Sequence, residues 1–331
     1  MQAITLSGKT VFNFMNYYKN NILIIKKMTK GNTNKHPGEI DDEDWEKLKK
    51  IEIKENLLES VKQSIKESYI KNEWYPSAGT VVDRKFSNTN EIQDFFKFSK
   101  QKKLAVVFNH IFWDASFFYG NDLFLHYQEW FYETYKIALQ NTNINWVFKL
   151  HPSNKTKNLR DNIKSEEPME LKYIKKNFGK IPDHIRIVDE NFPYSSFNLY
   201  ELLDFCVTVR GTTGLECALF EKPVITAGTG KYSNKGFTYD FTNKEGYLKT
   251  LKELPNLPNE NINYLLAKKY SYYALIKKPF KIEFSDVKFE KDIAARLKNN
   301  IKIKSHKEFI NSNDVKILTN WIKSDKKDNF F

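Results

Sequence analysis

The segment Arg210-Gly211-Thr212-Thr213-Gly214-Leu215-Glu216 sets two hydroxyls between two glycines, just before a run of helical character. Backbone N–H groups at a helix start lack intrahelical acceptors, and the helix dipole favours negative charge there. Glycine lets an anion approach the main chain, and threonine hydroxyls add donors. Gly211, Thr212, Thr213 and Gly214 therefore read as a phosphate site. Glu216, one turn in, is placed to accept hydrogen bonds from ribose hydroxyls. A threonine-capped helix with a favourable glutamate in its first turn fits the same residues.

Further segments have chemical potential. In Lys149-Leu150-His151-Pro152 the proline ends an apolar run and fixes a turn, leaving His151 at its edge. A histidine there can donate to a phosphate or sugar hydroxyl, or exchange a proton. Taken singly, a structural histidine is the simpler account. Asp114 lies among Phe112, Trp113, Phe117 and Phe118. Desolvation raises the pKa of a carboxylate and suits it to general-base or nucleophilic work. Asp114 or Ser116 serves equally well as a helix N-cap. His110 and His126 read as packing or local bridges. Ser195 or Ser196 caps a helix whose preceding loop can border a nucleotide base. Gly228-Thr229-Gly230-Lys231-Tyr232-Ser233-Asn234-Lys235-Gly236 reads as a mobile basic loop that places Lys231 over an anion. It lacks the Lys-Ser/Thr ending of a phosphate-binding P-loop. Zincin, nucleophile-elbow and acidic calcium motifs are absent, and a zinc site would need scattered histidines, so no metal is expected.

These residues need a scaffold, and the middle of the chain supplies one. Short apolar runs at Leu104–Phe108, Trp146–Leu150, Ile185–Val188, Phe205–Val209 and Pro223–Ala227 read as strands buried on both faces. Helical stretches follow at Leu123–Leu139, about 170–177, Ser196–Leu203 and Thr213–Phe220. Such alternation specifies an α/β fold with a parallel sheet, and ligands bind outside the carboxyl ends of its strands. Four of the five strand ends, the first, second, fourth and fifth, carry polar or Gly-rich segments singled out above.

The flanks read less regularly. Residues 10–28 are apolar and aromatic with basic insertions, and suggest one amphipathic helix. Residues 31–44 read as a loop, and a second helix is expected from about Asp44 to Tyr69. The chain looks helical from Asn243 to Lys278. Residues 280–331 are polar and Lys-rich, with Lys277, Lys278, Lys326 and Lys327 expected on a solvated surface. The expected division is 1–99, a helical and partial acceptor-side region; 100–260, a Rossmann-like domain; and 261–331, helices and a polar tail.

Composition bounds the classes. The 331 residues are 40% apolar and carry 53 Lys and Arg against 41 Asp and Glu, a net charge of +12. A packed core is feasible, and disorder over most of the chain is excluded. The positive excess suits nucleic acid, a membrane surface or an anionic small substrate, and a Lys- and Asn-rich composition gives it without any function. The lysines are dispersed and no aromatic RNA-binding signature appears, so nucleic acid is not expected. Two cysteines, Cys206 and Cys217, exclude a disulfide scaffold and a thiolate zinc site, and both read as buried thiols. Without a membrane-spanning run or a signal-peptide pattern, the chain is expected in the cytoplasm, with its basic surface able to rest on the inner face of the membrane.

Taken in order, Phe112-Trp113-Asp114-Ala115-Ser116, Lys149-Leu150-His151-Pro152, Val209-Arg210-Gly211-Thr212-Thr213-Gly214-Leu215-Glu216 and Lys222-Pro223-Val224-Ile225 through Gly228-Thr229-Gly230-Lys231-Tyr232 resemble the capsular polysaccharide synthesis family. That group includes bacterial Kdo transferases, and the likeness covers roughly residues 100–245. It implies a GT-B arrangement with a Rossmann-type C-terminal sheet and, here, a divergent or incomplete, helix-rich N-terminal region. It implies a glycosyltransferase of capsule or lipopolysaccharide synthesis that moves a sugar, Kdo from CMP-Kdo being one candidate, from a nucleotide-sugar donor to a glycan or lipid-linked glycan; where the helix end and cations meet the donor charge, neither metal nor cofactor is needed. Asp114 matches the acidic residue at the anomeric centre, and His151 the histidine near the donor phosphate. Thr212 and Thr213 match a hydroxyl pair on that phosphate, and Glu216 the acidic residue of the next helix. Those transferases carry glutamine where this chain has Phe112, which leaves the donor sugar open. Two other readings fit the same residues: a teichoic-acid-type transferase using a CDP-polyol, and a non-catalytic member that binds nucleotide or glycan.

Overall fold

The computed structural model describes residues 2–16, 19–71, 73–74, 84–113, 120–154, 158, 162, 167–189, 191–258, 262–289 and 297–328. The chain forms two compact units: Met1–Val82 together with Tyr270–Phe331, and Asp83–Lys269. Both ends of the chain thus belong to one unit.

In the first unit, β1 (Val11–Asn16) and β2 (Ile22–Met28) pair antiparallel from Val11↔Met28 to Asn16↔Leu23. The expected helix over 10–28 is therefore a hairpin. Asn21, at φ 59°, takes the left-handed conformation that asparagine tolerates in a turn. The β-branched Ile24 and Ile25 are fully buried, whereas Phe12 and Phe14 stay exposed on the outer strand. Phe280–Lys281 adds a third strand beside β2. The single helix expected over 44–69 is two, Asp42–Leu48 and Glu55–Ile70. The second buries Leu58, Val61 and Ile65 at helical spacing.

The charged core of this unit corrects another expectation. Lys278 is fully buried, not solvated, and pairs with Asp328, itself buried. Lys26, also fully buried, lies 2.7 Å from Asp41 and 3.8 Å from Asp328. The tail thus brings in the carboxylate that makes these burials tolerable.

The second unit has the expected α/β architecture. β3 (Leu104–Phe108), β4 (Asn145–Lys149), β5 (Ile185–Val188), β6 (Phe205–Thr208) and β7 (Val224–Thr226) form one parallel sheet in the order β5-β4-β3-β6-β7. β3, β4, β6 and β7 are buried throughout, as continuous apolar runs require. Ala105, Val107, Trp146, Phe148 and Val207 pack with Trp130, Phe131 and Tyr135 from the helix Tyr127–Gln140, and with Tyr247 and Leu251 from the helix Lys244–Lys252. The helices Ser196–Leu202 and Thr212–Leu219 belong to the crossovers β5–β6 and β6–β7, and Phe197 and Tyr200 stack edge-on and tilted against Phe220. Cys206 and Cys217 are free and buried.

The chain enters this sheet at its centre, β3, and builds outward to β5. It then returns to the other side of β3 as β6. Strand order reverses between β3 and β6, and a crevice at the carboxyl ends of such neighbours is where open α/β sheets bind ligands. Among the described residues no helix is long and apolar enough to cross a membrane.

Candidate functional site

The helix Thr212–Leu219 starts at this reversal. Its N-cap is Gly211, which has no side chain, so no side-chain cap satisfies the first turn. The threonine-capped alternative is thereby corrected: neither Thr212 nor Thr213 occupies the cap position. The Thr213 hydroxyl is buried and hydrogen-bonds nothing in the protein. The Lys231 ammonium lies 3.1 Å from the Thr212 hydroxyl and donates to it. Lys231 is itself buried, so the cation is held at the helix start, where it reinforces the positive end of the dipole.

The loop that carries Lys231 is pinned, which corrects the expectation of a mobile segment. Thr229 N–H donates to the Asn121 carbonyl at 2.8 Å, and Gly230 N–H to the Ser233 hydroxyl at 2.8 Å. The Tyr232 hydroxyl donates to the Gly211 carbonyl at 2.6 Å. Tyr232 is fully buried, and burial pushes its phenol well above the ordinary range, so it stays a neutral donor. Gly214 is needed for this arrangement: a Cβ there would lie 2.1 Å from the Tyr232 hydroxyl oxygen. Arg210 pairs with Asp122, both largely buried, and Asp122 bridges backbone-to-backbone with Gly228. Burial lowers the Arg210 guanidinium to about 10, which keeps it charged at neutral pH.

The carboxyl end of β3 contributes Asn109 and His110. His110 Nε2 accepts from the Arg210 N–H at 3.3 Å and lies 3.3 Å from the Thr208 hydroxyl. Its ring stacks on Tyr127, with centroids 4.5 Å apart. A Cβ on Gly211 would lie 3.8 Å from His110 Nε2, so this histidine borders the N-cap glycine of the helix. Local packing was expected of His110; its position at the strand reversal was not. His126 is the N-cap of Tyr127–Gln140, where its Nδ1 accepts from Glu129 N–H at 3.0 Å.

β4 contributes His151 and Lys149. Ser153 N–H donates to His151 Nδ1 at 3.2 Å. In the neutral ring that bond puts the proton on Nε2, which makes Nε2 a donor. Lys149, the last residue of β4, is buried; desolvation, reinforced by the neighbouring Arg84 charge, lowers its pKa to about 7 against the pull of Asp189. Ser195 caps Ser196–Leu202 and accepts from Phe197 N–H at 3.3 Å, while Ser196 opens the helix. Glu216 is buried within its helix. Asp114 lies outside the described residues.

The structure thus gathers Gly211–Gly214 and Lys231 about one helix start, with His110 against it. His151 and Ser195 sit after the neighbouring strands of the same sheet edge. Sequence reading missed Asp122 as the partner of Arg210, and gave no role to Asn109 or Lys149. The position of Asn109-His110 immediately after the apolar run Leu104–Phe108 was the signal available for the former pair. Among the described residues, no group of three His, Cys, Asp or Glu side chains is arranged to hold a metal ion.

A doubly wound α/β sheet with an uncapped helix start at its strand reversal defines a class of domain that takes ligands at that edge. The family model described as capsule polysaccharide biosynthesis protein matches residues 23–275, and the chain belongs to that family. No curated protein matches it. Among solved structures it is similar to the beta Kdo 2,4 transferase KpsC of Thermosulfurimonas dismutans (15% identity, TM-score 0.44), covering 82% of this chain and 73% of that one. A beta Kdo 2,7 transferase KpsC of the same organism gives 16% identity and TM-score 0.44, over 85% of this chain and 73% of that one. The wall teichoic acid polymerase TagF gives 13% identity and TM-score 0.32, over 56% of this chain and 41% of that one.

Proposed function

We propose that the protein is a GT-B-type glycosyltransferase of bacterial surface polysaccharide synthesis. It moves a sugar from a nucleotide-sugar donor to a glycan or lipid-linked glycan acceptor. The observation that carries the reading is the helix start at residues 211–214: no side-chain cap, an orphan Thr213 hydroxyl, and the Lys231 ammonium held beside Thr212. Within the expected 100–260 domain, Gly211, Thr212, Thr213, Gly214 and Lys231 are assigned to the donor phosphate, and Glu216, Ser195 and Ser196 to the ribose and base.

In the reaction, the Asp114 carboxylate attacks the anomeric carbon as the bond from that carbon to the phosphate oxygen breaks. The electron pair leaves with the phosphate, where the helix dipole, Lys231 and the Nε2–H of His151 stabilise it. The acceptor hydroxyl then displaces Asp114, which departs as the free carboxylate, and passes its proton to the released nucleotide phosphate, which gives net retention. Donor charge is met by residues of the chain, so the reading uses neither metal nor cofactor. The basic surface would keep the enzyme near the anionic inner leaflet, where lipid-linked acceptors are displayed.

Thermal-shift screening against CMP, UDP, GDP and CDP tests the binding half, since stabilisation follows affinity by mass action. A response to at least one nucleotide is expected, and flat curves for all four refute the reading. Asp114→Ala should abolish transfer and leave nucleotide affinity within a few-fold; full transfer by that variant removes Asp114 from the mechanism. Turnover of CDP-glycerol in place of sugar nucleotides would reassign the protein to polyol-phosphate transfer.

A further inference from the structure

Asn109 directly follows the central strand β3 at the point where strand order reverses. Its backbone is satisfied: the N–H continues the ladder and donates to the Lys149 carbonyl at 3.0 Å. Its side chain is not. Asn109 is 4% exposed, and neither the amide nitrogen nor the amide oxygen has a hydrogen-bond partner in the protein. Native folds rarely leave a buried carboxamide with both ends unmet, because its desolvation is then uncompensated. Phe108 and Ile111, which flank Asn109-His110 in the sequence, are apolar and buried. His110, the next residue, reaches across the reversal to the Arg210 N–H and the edge of Gly211. The orphan amide therefore stands one residue from the group that borders the anion site.

We infer that Asn109 is a ligand-contacting residue of this crevice, whose carboxamide exchanges hydrogen bonds with the bound sugar nucleotide. The inference rests on the sugar-nucleotide reading above and adds to it a residue from the opposite strand of the reversal. A nucleotide offers both kinds of partner: phosphate oxygens for the amide N–H groups and sugar hydroxyls for the carbonyl oxygen. The ligand-free protein carries the unmet amide, and the complex relieves it.

The test uses Asn109→Leu, close in volume and without hydrogen-bonding capacity, and Asn109→Asp, close in shape and negatively charged. The full-length protein and both variants are melted alone, then titrated calorimetrically with whichever of CMP, UDP, GDP or CDP stabilises the wild type most. The ligand-free Asn109→Leu protein should melt at or above the wild-type temperature, since it no longer buries an unmet amide. Its affinity for the nucleotide should fall by about tenfold or more, as for a site whose polar contacts are removed. Asn109→Asp should also bind more weakly, because it sets a carboxylate near phosphate. Affinities within twofold of wild type in both variants overturn the inference while leaving the function standing. Marked loss of stability in ligand-free Asn109→Leu also overturns it, because the amide would then be satisfied within the fold or by a structural water. A wild type that responds to none of the four nucleotides instead removes the sugar-nucleotide reading, and this inference with it.

Discussion

Gly214→Ala puts the geometry of the helix start to a quantitative test. An added Cβ would lie 2.1 Å from the Tyr232 hydroxyl oxygen, 2.9 Å from Cζ and 3.1 Å from Val224 Cγ1. Ordinary non-bonded contact is roughly 3.5 Å, so the tyrosine must retreat by more than about 1 Å. It has little room, being fully buried and bonded to the Gly211 carbonyl. Losing that bond costs about 1–3 kcal/mol, and overpacking a tight site costs about the same. Alanine returns about 1 kcal/mol through helix propensity. The net expectation is a loss of about 1–5 kcal/mol, with displacement of Lys231 and a weaker nucleotide response. Guanidinium denaturation of Gly214→Ala, Tyr232→Phe and the double variant measures the coupling. Removing the hydroxyl relieves the closest contact, so the double variant should be more stable than the two single losses predict, by roughly 0.5–3 kcal/mol. Strict additivity, or a Gly214→Ala protein within about 0.5 kcal/mol of wild type, would refute the packing argument.

Two more predictions concern buried charge. One pKa unit is ~1.4 kcal/mol, so the lowering of Lys149 from 10.5 to about 7 represents on the order of 5 kcal/mol of strain against its charged form. The folded protein sheds this proton while the unfolded chain keeps it, so the penalty is full below about pH 7 and is relieved as pH rises toward 10.5. Lys149→Met should stabilise the protein at neutral pH and flatten the rise in stability with pH, as measured by urea titrations across that window; an unchanged slope would exonerate Lys149. Asp122→Asn should cost roughly 3–5 kcal/mol by leaving the Arg210 guanidinium without its carboxylate. Adding Arg210→Met should recover most of that loss in the same denaturation assay, and failure to recover would show that the pair is not the source.

The parallel sheet was legible because its information is local. A strand buried on both faces must be a short apolar run, and Leu104–Phe108 and Phe205–Thr208 are such runs whatever surrounds them. Residues 10–28 show where local pattern stops. Their aromatic and aliphatic residues suit a helix or a hairpin, and the hairpin is settled by burial of Ile24, Ile25 and Met28 and by the pairing of β2 with Phe280–Lys281. Lys278 looked like solvated surface because Asp328 arrives from the far end of the chain. The helix start after β6 could be read from its glycines and threonines. That Gly211 rather than a threonine caps the helix, and that Lys231 is fixed on Thr212, depends on the Tyr232 and Asn121 contacts.

Within the parallel-sheet unit the sequence by itself determined which segments are strands, which are their helices, and which polar residues follow each strand, since backbone propensity and apolar periodicity act within a few neighbours. Only the tertiary structure decided that β6 returns beside β3. That return places His110 against Gly211 and supplies Arg210 with Asp122, while the Asn109 side-chain amide stays buried without a hydrogen-bond partner. Strand order, burial and hydrogen-bond satisfaction are properties of residues distant in the chain that become neighbours only when the sheet closes.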